Sequence, residues 1–297
     1  MIGKTCILLA AYNGALFIRE QIESIRQQEY KNWDLFVNID CSDDETEKIV
    51  SEFCKKDERI FLLKSTERFG AAGKNFYDLL KFAPIEEYKF IAFSDQDDTW
   101  APNKLLEGLN VLSDGEYAGY SSSVTAVYPC GKRRYIDKSN PQKLLDYKFE
   151  SAGPGCTYIF TNEIGLLVRK YLFDHPIIER QFYYHDWLVY YATRNVGKSW
   201  FIDSNGYIDY RQHGGNDTGA NVGLVATGKR LKLFRSGWYF HQVYLLENTV
   251  SQSIPLEDYL GSRNGWRIRW VFRFLQTRRD IKHALLLGVC VLLRIVR

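Results

Sequence analysis

The chain reads as an α/β protein: a mostly parallel central sheet flanked by helices, followed by a basic helical extension. Three observations predict this. Strand and helix signals alternate through the first 112 residues. The strand-like runs are short and continuously apolar, as in strands buried on both faces. From about Thr227 the chain turns basic, aromatic and helical. Alternation of this kind argues for a parallel sheet with helices on its faces. At 297 residues, 45% hydrophobic and 25% charged, the chain can bury one large core and carry an appendage. The expected units are 1–226 and 227–297.

Each element has its own signal. Thr5–Ala11 is a short apolar run, a buried strand. Ala15–Gln28 places Ile18, Ile22 and Ile25 at helical spacing. Trp33–Ile39 is strand-like, and Thr46–Lys55 is helical with Ile49 and Phe53 on one face. Ile60–Leu63 predicts a third strand, Lys74–Phe82 a helix and Phe90–Phe93 a fourth strand. Pro102–Leu112 fits a helix with proline in its first turn. Residues 117–160 read as strands and longer loops, with a Gly/Pro-rich turn at Ser151–Cys156. Helices are expected near Glu163–Tyr171 and Asp186–Thr193, then a strand over Ser199–Tyr210.

Parallel sheets bind ligands beyond the carboxyl ends of their strands. Three polar clusters fall there: Tyr12-Asn13-Gly14, Asp40 to Asp44, and Asp95, Asp97 and Asp98. In the last, Asp95 and Asp97 are two apart and face the same way in an extended segment. Two such carboxylates can share a hard cation with oxygen preference. An EF-hand loop is a poor fit, because Trp100 and Leu106 occupy the positions that need Gly and Glu. The plainer alternative is a solvated acidic turn capping the next helix. Asp43 and Asp44 fit helix capping better than ligand contact. The same holds for Asp186 at a helix start until it is read together with the other motifs.

Six cysteines are scattered, with no CxxC and no metal-ligand spacing. A reduced compartment is the expectation, as is an N-terminus without a signal-peptide pattern. The +3 net charge is uneven. Residues 263–297 hold nine Lys and Arg against one acid, Asp280, giving +8, while the remaining 262 residues carry −5.

Taken in order, AAYNG, QIESIRQQ, SDQDDTWAPNKL, GCTYIFTNE, HDW and YRQHGGN resemble the family 2 glycosyltransferases of the GT-A fold, a Rossmann-like architecture. The resemblance is closest to the rhamnosyltransferase-like branch of bacterial polysaccharide biosynthesis. It covers roughly residues 4–223 and implies an inverting, metal-dependent transfer of a sugar, L-rhamnose from dTDP-rhamnose first, UDP-hexoses or UDP-N-acetylhexosamines second. It implies Asp95 and Asp97 as the metal-side pair, for Mg²⁺ or Mn²⁺, joined by His213. Asp186 falls on the catalytic base. Arg211 falls on a phosphate contact. Ala11, Tyr12 and Asp40 fall around the nucleotide base, with Lys74 and Asn75 near its far edge. Gly155, Cys156 and Trp187 belong to the acceptor side. One segment departs from the family pattern: Ile39-Asp40 stands where two adjacent Asp are usual, leaving Asp40 as the single carboxylate.

Two rival classes are weaker. A metal-dependent nucleotidyltransferase would open with a Gly/Arg/Lys-rich phosphate loop, which AAYNGALF lacks. A non-catalytic scaffold leaves Asp186 and His213 unexplained. The tail's apolar stretch Ala284–Leu293 is ten residues, about half the ~20 that span a bilayer. Interleaved Arg and aromatics fit a segment at an anionic membrane surface. A helix packed on the catalytic domain, or in a homodimer, is the alternative, and no nucleic-acid module is present. The expected partners are a nucleotide-diphosphate sugar and a glycan or polyprenyl-linked acceptor, at the cytoplasmic face of the membrane.

Overall fold

The computed structural model describes residues 2–63, 68–214, 228, 232–250 and 274–292. The first half follows the alternation closely. β1 (Thr5–Ala11), α1 (Ile18–Arg26), β2 (Trp33–Ile39), α2 (Thr46–Lys56), β3 (Ile60–Leu63), α3 (Ala72–Phe82), β4 (Phe90–Asp95), β5 (Thr99–Trp100) and α4 (Lys104–Ser113) come in that order. β1 pairs in parallel with both β2 and β4, and β2 with β3. Alternate residues of β1 enter two different cores. Cys6 and Leu8 face one, Ile7 and Leu9 the other. Both faces are therefore covered, which is why the run is apolar throughout.

The second half adds β6 (Gly119–Val127), β7 (Arg133–Ile136), β8 (Ile159–Thr161), α5 (Asn162–Asp174), α6 (Pro176–Gln181), α7 (His185–Asn195) and β9 (Trp200–Arg211). The sheet order is β3-β2-β1-β4-β8-β6-β9-β5, with β7 on β6. β8 pairs antiparallel with β4 and with β6, while β6 and β9 run parallel. β4 is thus the line where all-parallel pairing gives way to mixed pairing.

The described part of the extension contains α8 (Trp238–Leu245), a π-helical turn Leu246–Val250 and α9 (Ile281–Leu292). Tyr239, Val243, Leu246, Val250 and Leu287 lie in the same core as Phe149, Trp187 and Leu188. Residues on both sides of position 226 therefore share one core. Arg278 and Arg279 do not face solvent. They pair with Glu150 and, for Arg279, also with Asp146. No described helix is long and apolar enough to cross a membrane. Along α9, Ile281, Leu285 and Val289 form an exposed apolar stripe four residues apart. The rest of the tail, 251–273 and 293–297, lies outside the described residues.

Candidate active site

The candidate residues gather at the carboxyl ends of β1, β2 and β4. β4 delivers Asp95 as its last residue. The next turn buries Asp97 to 8% exposure and Asp98 completely. Carboxylates this close repel, so each requires a partner. His213 supplies one: its Nε2 lies 2.7 Å from Asp97 Oδ2. The imidazole is stacked on Phe17, ring centres 4.7 Å apart. Arg211 closes the turn from the other side. Its main-chain N–H donates to Asp98 Oδ1 at 3.2 Å, its Nε to the Asp97 carbonyl at 3.0 Å, and its Nη2 to Glu20 at 2.7 Å.

Asp98 lies behind this surface. A carboxylate oxygen each from Asp95 and Asp98 and the Cys156 sulfur fall within 4.8 Å of one another. Burial, then the charges of Asp95 and Asp97, hold the Asp98 carboxyl well above the usual range. Burial likewise pushes the Cys156 thiol up. A protonated thiol is a poor ligand for a hard cation. Around the acidic turn, His213 thus meets Asp97, while Asp95 and Asp98 meet Cys156. The buried Lys104 amine has no hydrogen-bond acceptor and sits 3.6 Å from the Trp100 ring centre. Burial lowers it to about 7. This contact accounts for the Trp-x-x-x-Lys spacing after the acidic turn.

On the β1–β3 side the polar groups hold one another. Gln96 clamps Tyr12, accepting its N–H at 2.9 Å and donating to its carbonyl at 2.8 Å. The Tyr12 side chain stays exposed. The Ala11 carbonyl accepts from the Asp40 N–H at 2.8 Å and from Asn75 Nδ2 at 3.2 Å. Asn75 also donates to the Asn38 carbonyl at 3.1 Å. Its amide thus joins the ends of β1 and β2, and its side chain is buried. The Asp40 carboxylate accepts from the N–H groups of Cys41, Phe69 and Gly70 at 2.8, 2.9 and 2.7 Å. It fixes the loop entering α3, where Lys74 lies in the first turn. Asp44 accepts from the N–H groups of Ala15 and Thr46, tying the start of α2 to the turn after β1, while the helix N-cap itself is Glu45.

Across β4, α7 presents Asp186 in its first turn. Its Oδ1 accepts from the Trp187 N–H at 2.8 Å. Burial raises the carboxyl to about 6, opposed by hydrogen bonds from Trp187 and Ser151. Beneath it His185 is stacked on Phe76 at 4.0 Å, and burial lowers the imidazole to about 3, keeping it neutral. Gly155 passes so close that a Cβ there would lie 2.6 Å from His185 Nε2 and 3.2 Å from Asp186 Cβ. Two of the residues expected to face the acceptor do not present side chains. Cys156 is fully buried against Asp98, because the Gly155–Thr157 3₁₀ turn points it inward. Trp187 is 3% exposed, donates to the Tyr147 carbonyl at 2.8 Å and stacks on Tyr239. Both build the wall and not its surface.

The profile of "Glycosyl transferase family 2" matches residues 6–171. A dTDP-rhamnosyl transferase, RfbG of Shigella flexneri, is 38% identical over 254 residues, 85% of this chain and 88% of that protein. An Escherichia coli UDP-Glc:alpha-D-GlcNAc-diphosphoundecaprenol beta-1,3-glucosyltransferase, WfgD, is 31% identical over 64% of this chain and 70% of its own length. Among solved structures, TarS residues 1–349 of S. aureus in complex with UDP-GlcNAc superimposes with a TM-score of 0.56. That match covers 92% of this chain and 81% of that one at 16% identity, and it shows the shared GT-A fold.

Proposed function

The chain belongs to glycosyl transferase family 2 and is a glycosyltransferase, and from that premise we propose that it transfers L-rhamnose from dTDP-rhamnose, with inversion, to a growing surface polysaccharide. One observation carries the reading. The two-residue turn Gly155-Cys156 touches both halves of the chemistry: Gly155 abuts Asp186, and Cys156 abuts Asp95 and Asp98. In this reading the proposed base and the proposed cation ligands stand on either side of one turn. Likeness to the rhamnosyl transferase over most of both chains supports the donor.

In this reading Asp186 takes the proton from the acceptor hydroxyl as that oxygen bonds to the sugar C1. The C1–phosphate oxygen bond breaks on the opposite face, and the nucleotide diphosphate leaves with the bonding pair. A carboxyl at about 6 is ionised at neutral pH yet more basic than an ordinary Asp. Asp95, Asp97 and His213 would hold a divalent cation, which supplies positive charge for the departing diphosphate. The imidazole favours Mn²⁺ over Mg²⁺. Tyr12, Asp40 and Lys74 frame the nucleotide from the β1–β3 side. Arg211 reaches the diphosphate by exchanging Glu20 for phosphate. Gly155 offers its main chain to the acceptor. The exposed Ile281, Leu285 and Val289 stripe beside Lys282 supports a peripheral membrane contact, which suits a polyprenyl-linked acceptor.

Calorimetry with dTDP-rhamnose, UDP-glucose and UDP-GlcNAc, each with Mn²⁺, Mg²⁺ or EDTA, tests the donor. Tightest binding is expected for dTDP-rhamnose with Mn²⁺. Preference for a UDP-sugar would move the donor to the second reading. Binding and turnover untouched by EDTA would sink the cation site.

A further inference from the structure

Asp186 follows closely on a short link, Phe182 to Tyr184, that joins α6 to α7. Two helices hold this link from different sides. One is α3, the helix that carries Lys74 and Asn75. Its Gly73 packs so closely that a Cβ there would lie 2.2 Å from the Tyr183 carbonyl oxygen. Its Tyr77 hydroxyl lies 3.5 Å from the Phe182 carbonyl oxygen. The other is α8, from the C-terminal extension. Gln242 Oε1 accepts the Tyr183 N–H at 2.8 Å, and Gln242 Nε2 donates to the Gln181 carbonyl at 3.0 Å. Gln242 is 1% exposed. Its neighbour His241 meets the Gln181 side chain, Nε2 to Oε1, at 3.0 Å. Trp238 packs against Tyr183 and Tyr184, with ring centres 6.0 and 5.8 Å away. From the link the chain enters α7 directly. The Leu188 N–H donates to the Tyr184 carbonyl at 3.1 Å, closing the turn that contains Asp186.

We propose that Gln242 is a positioning residue for Asp186: its amide fixes the main chain at Gln181 and Tyr183, which fixes where α7 begins, so that the extension sets the place of the base. This rests on Asp186 being the base. Every step from Gln242 to Asp186 is a hydrogen bond or the main chain itself. Gly73 blocks the link from moving toward α3, and Gln242 holds it from the α8 side. A glutamine suits the task, because its amide accepts and donates at once and brings no charge into the interior. Gln96 does the same for Tyr12 on the nucleotide side. A base displaced by about 1 Å loses up to about 100-fold in rate.

The test uses the full chain with Mn²⁺, and its kinetic arm rests on the proposed donor. Water stands in for the acceptor, and release of dTDP from dTDP-rhamnose is followed. Gln242→Met should lower kcat about 10- to 100-fold with the donor KM within about twofold. Gln242→Glu keeps an acceptor for the Tyr183 N–H and should lose less, about 3- to 10-fold. In an Asp186→Asn background Gln242→Met should cost little more, because its effect passes through that carboxylate. Independent, multiplying losses would overturn the proposal, as would a folded Gln242→Met with unchanged kcat. If Gln242→Met does not fold, Gln242→Glu takes its place in the same comparison. Hydrogen exchange needs no donor. Gln242→Met should speed exchange in residues 183–188 while β1 and β4 stay protected, and unchanged exchange there overturns the proposal. A wild-type protein that does not turn over dTDP-rhamnose would count against the donor assignment, and an Asp186→Asn protein with unchanged kcat against the base. In either case the exchange result would decide whether Gln242 sets the start of α7.

Discussion

The two sides of the sheet's carboxyl edge hold their polar groups by different means. On the β1–α3 side, each group is fixed by main chain a short distance away in space. Asp40 takes three N–H groups, Asn75 bridges two strand ends, and Gln96 clamps Tyr12. On the β6–α9 side, the groups are fixed by ion pairs between residues about a hundred positions apart, such as Lys148–Glu247 and Arg279–Glu150. The first arrangement is made by the strands themselves. The second exists only once the extension has packed.

The comparison can be broken first at Asp186. Asp186→Asn should lower kcat by about 10²–10⁴ while dTDP affinity holds. The same change should stabilise the fold at pH 7.5. Burial lifts the folded carboxyl above its unfolded value, so its contribution to stability is full at low pH and lost as pH rises through about 6. Removing the charge should gain about 1–3 kcal/mol by denaturant melt. In the wild type, kcat/KM should fall on acidification with a limb near pH 6, and a limb near 4 would remove Asp186 as base.

Next in size is Gly155→Ala. Its methyl group meets a stacked imidazole and not a flexible chain end. A loss of about tenfold or more in kcat is expected, with donor binding intact. His213→Ala should act on the other side of the turn. Mn²⁺ affinity by calorimetry should weaken about 10-fold or more, and excess Mn²⁺ should restore part of the rate. The smallest effect on turnover is expected from Lys148→Met, which leaves Glu247 buried without its cation. Stability should drop about 3–5 kcal/mol, with turnover of the folded fraction changed least. A selective loss of kcat there would tie the 145–151 segment to turnover.

Much of the molecule was legible in the chain. β1, β2 and β3 run over the residues their apolar runs marked, and α7 and β9 are shifted from the expected spans by one or two residues. Doubly buried parallel strands must be apolar on both faces, and that signal is local. The three polar clusters at strand ends were legible for the same reason. The pairing of β8 against β4 was not, since a three-residue strand carries no period of its own. Cys156 and Trp187 were expected at the acceptor surface because motif proximity says nothing of side-chain direction. Arg278 and Arg279 were counted with a basic tail because charge counts do not record partners.

The sequence by itself determined the alternating α/β half, the family and the acidic turn after β4, because strand period and motif order are properties of neighbouring residues. Only the tertiary structure decided that His213 meets Asp97, that Asp98 is buried beside Asp95 and Cys156, and that Arg279 reaches Ser151. Those contacts join residues far apart in the chain, and they are set by burial and charge pairing in a packed interior, which no local pattern encodes.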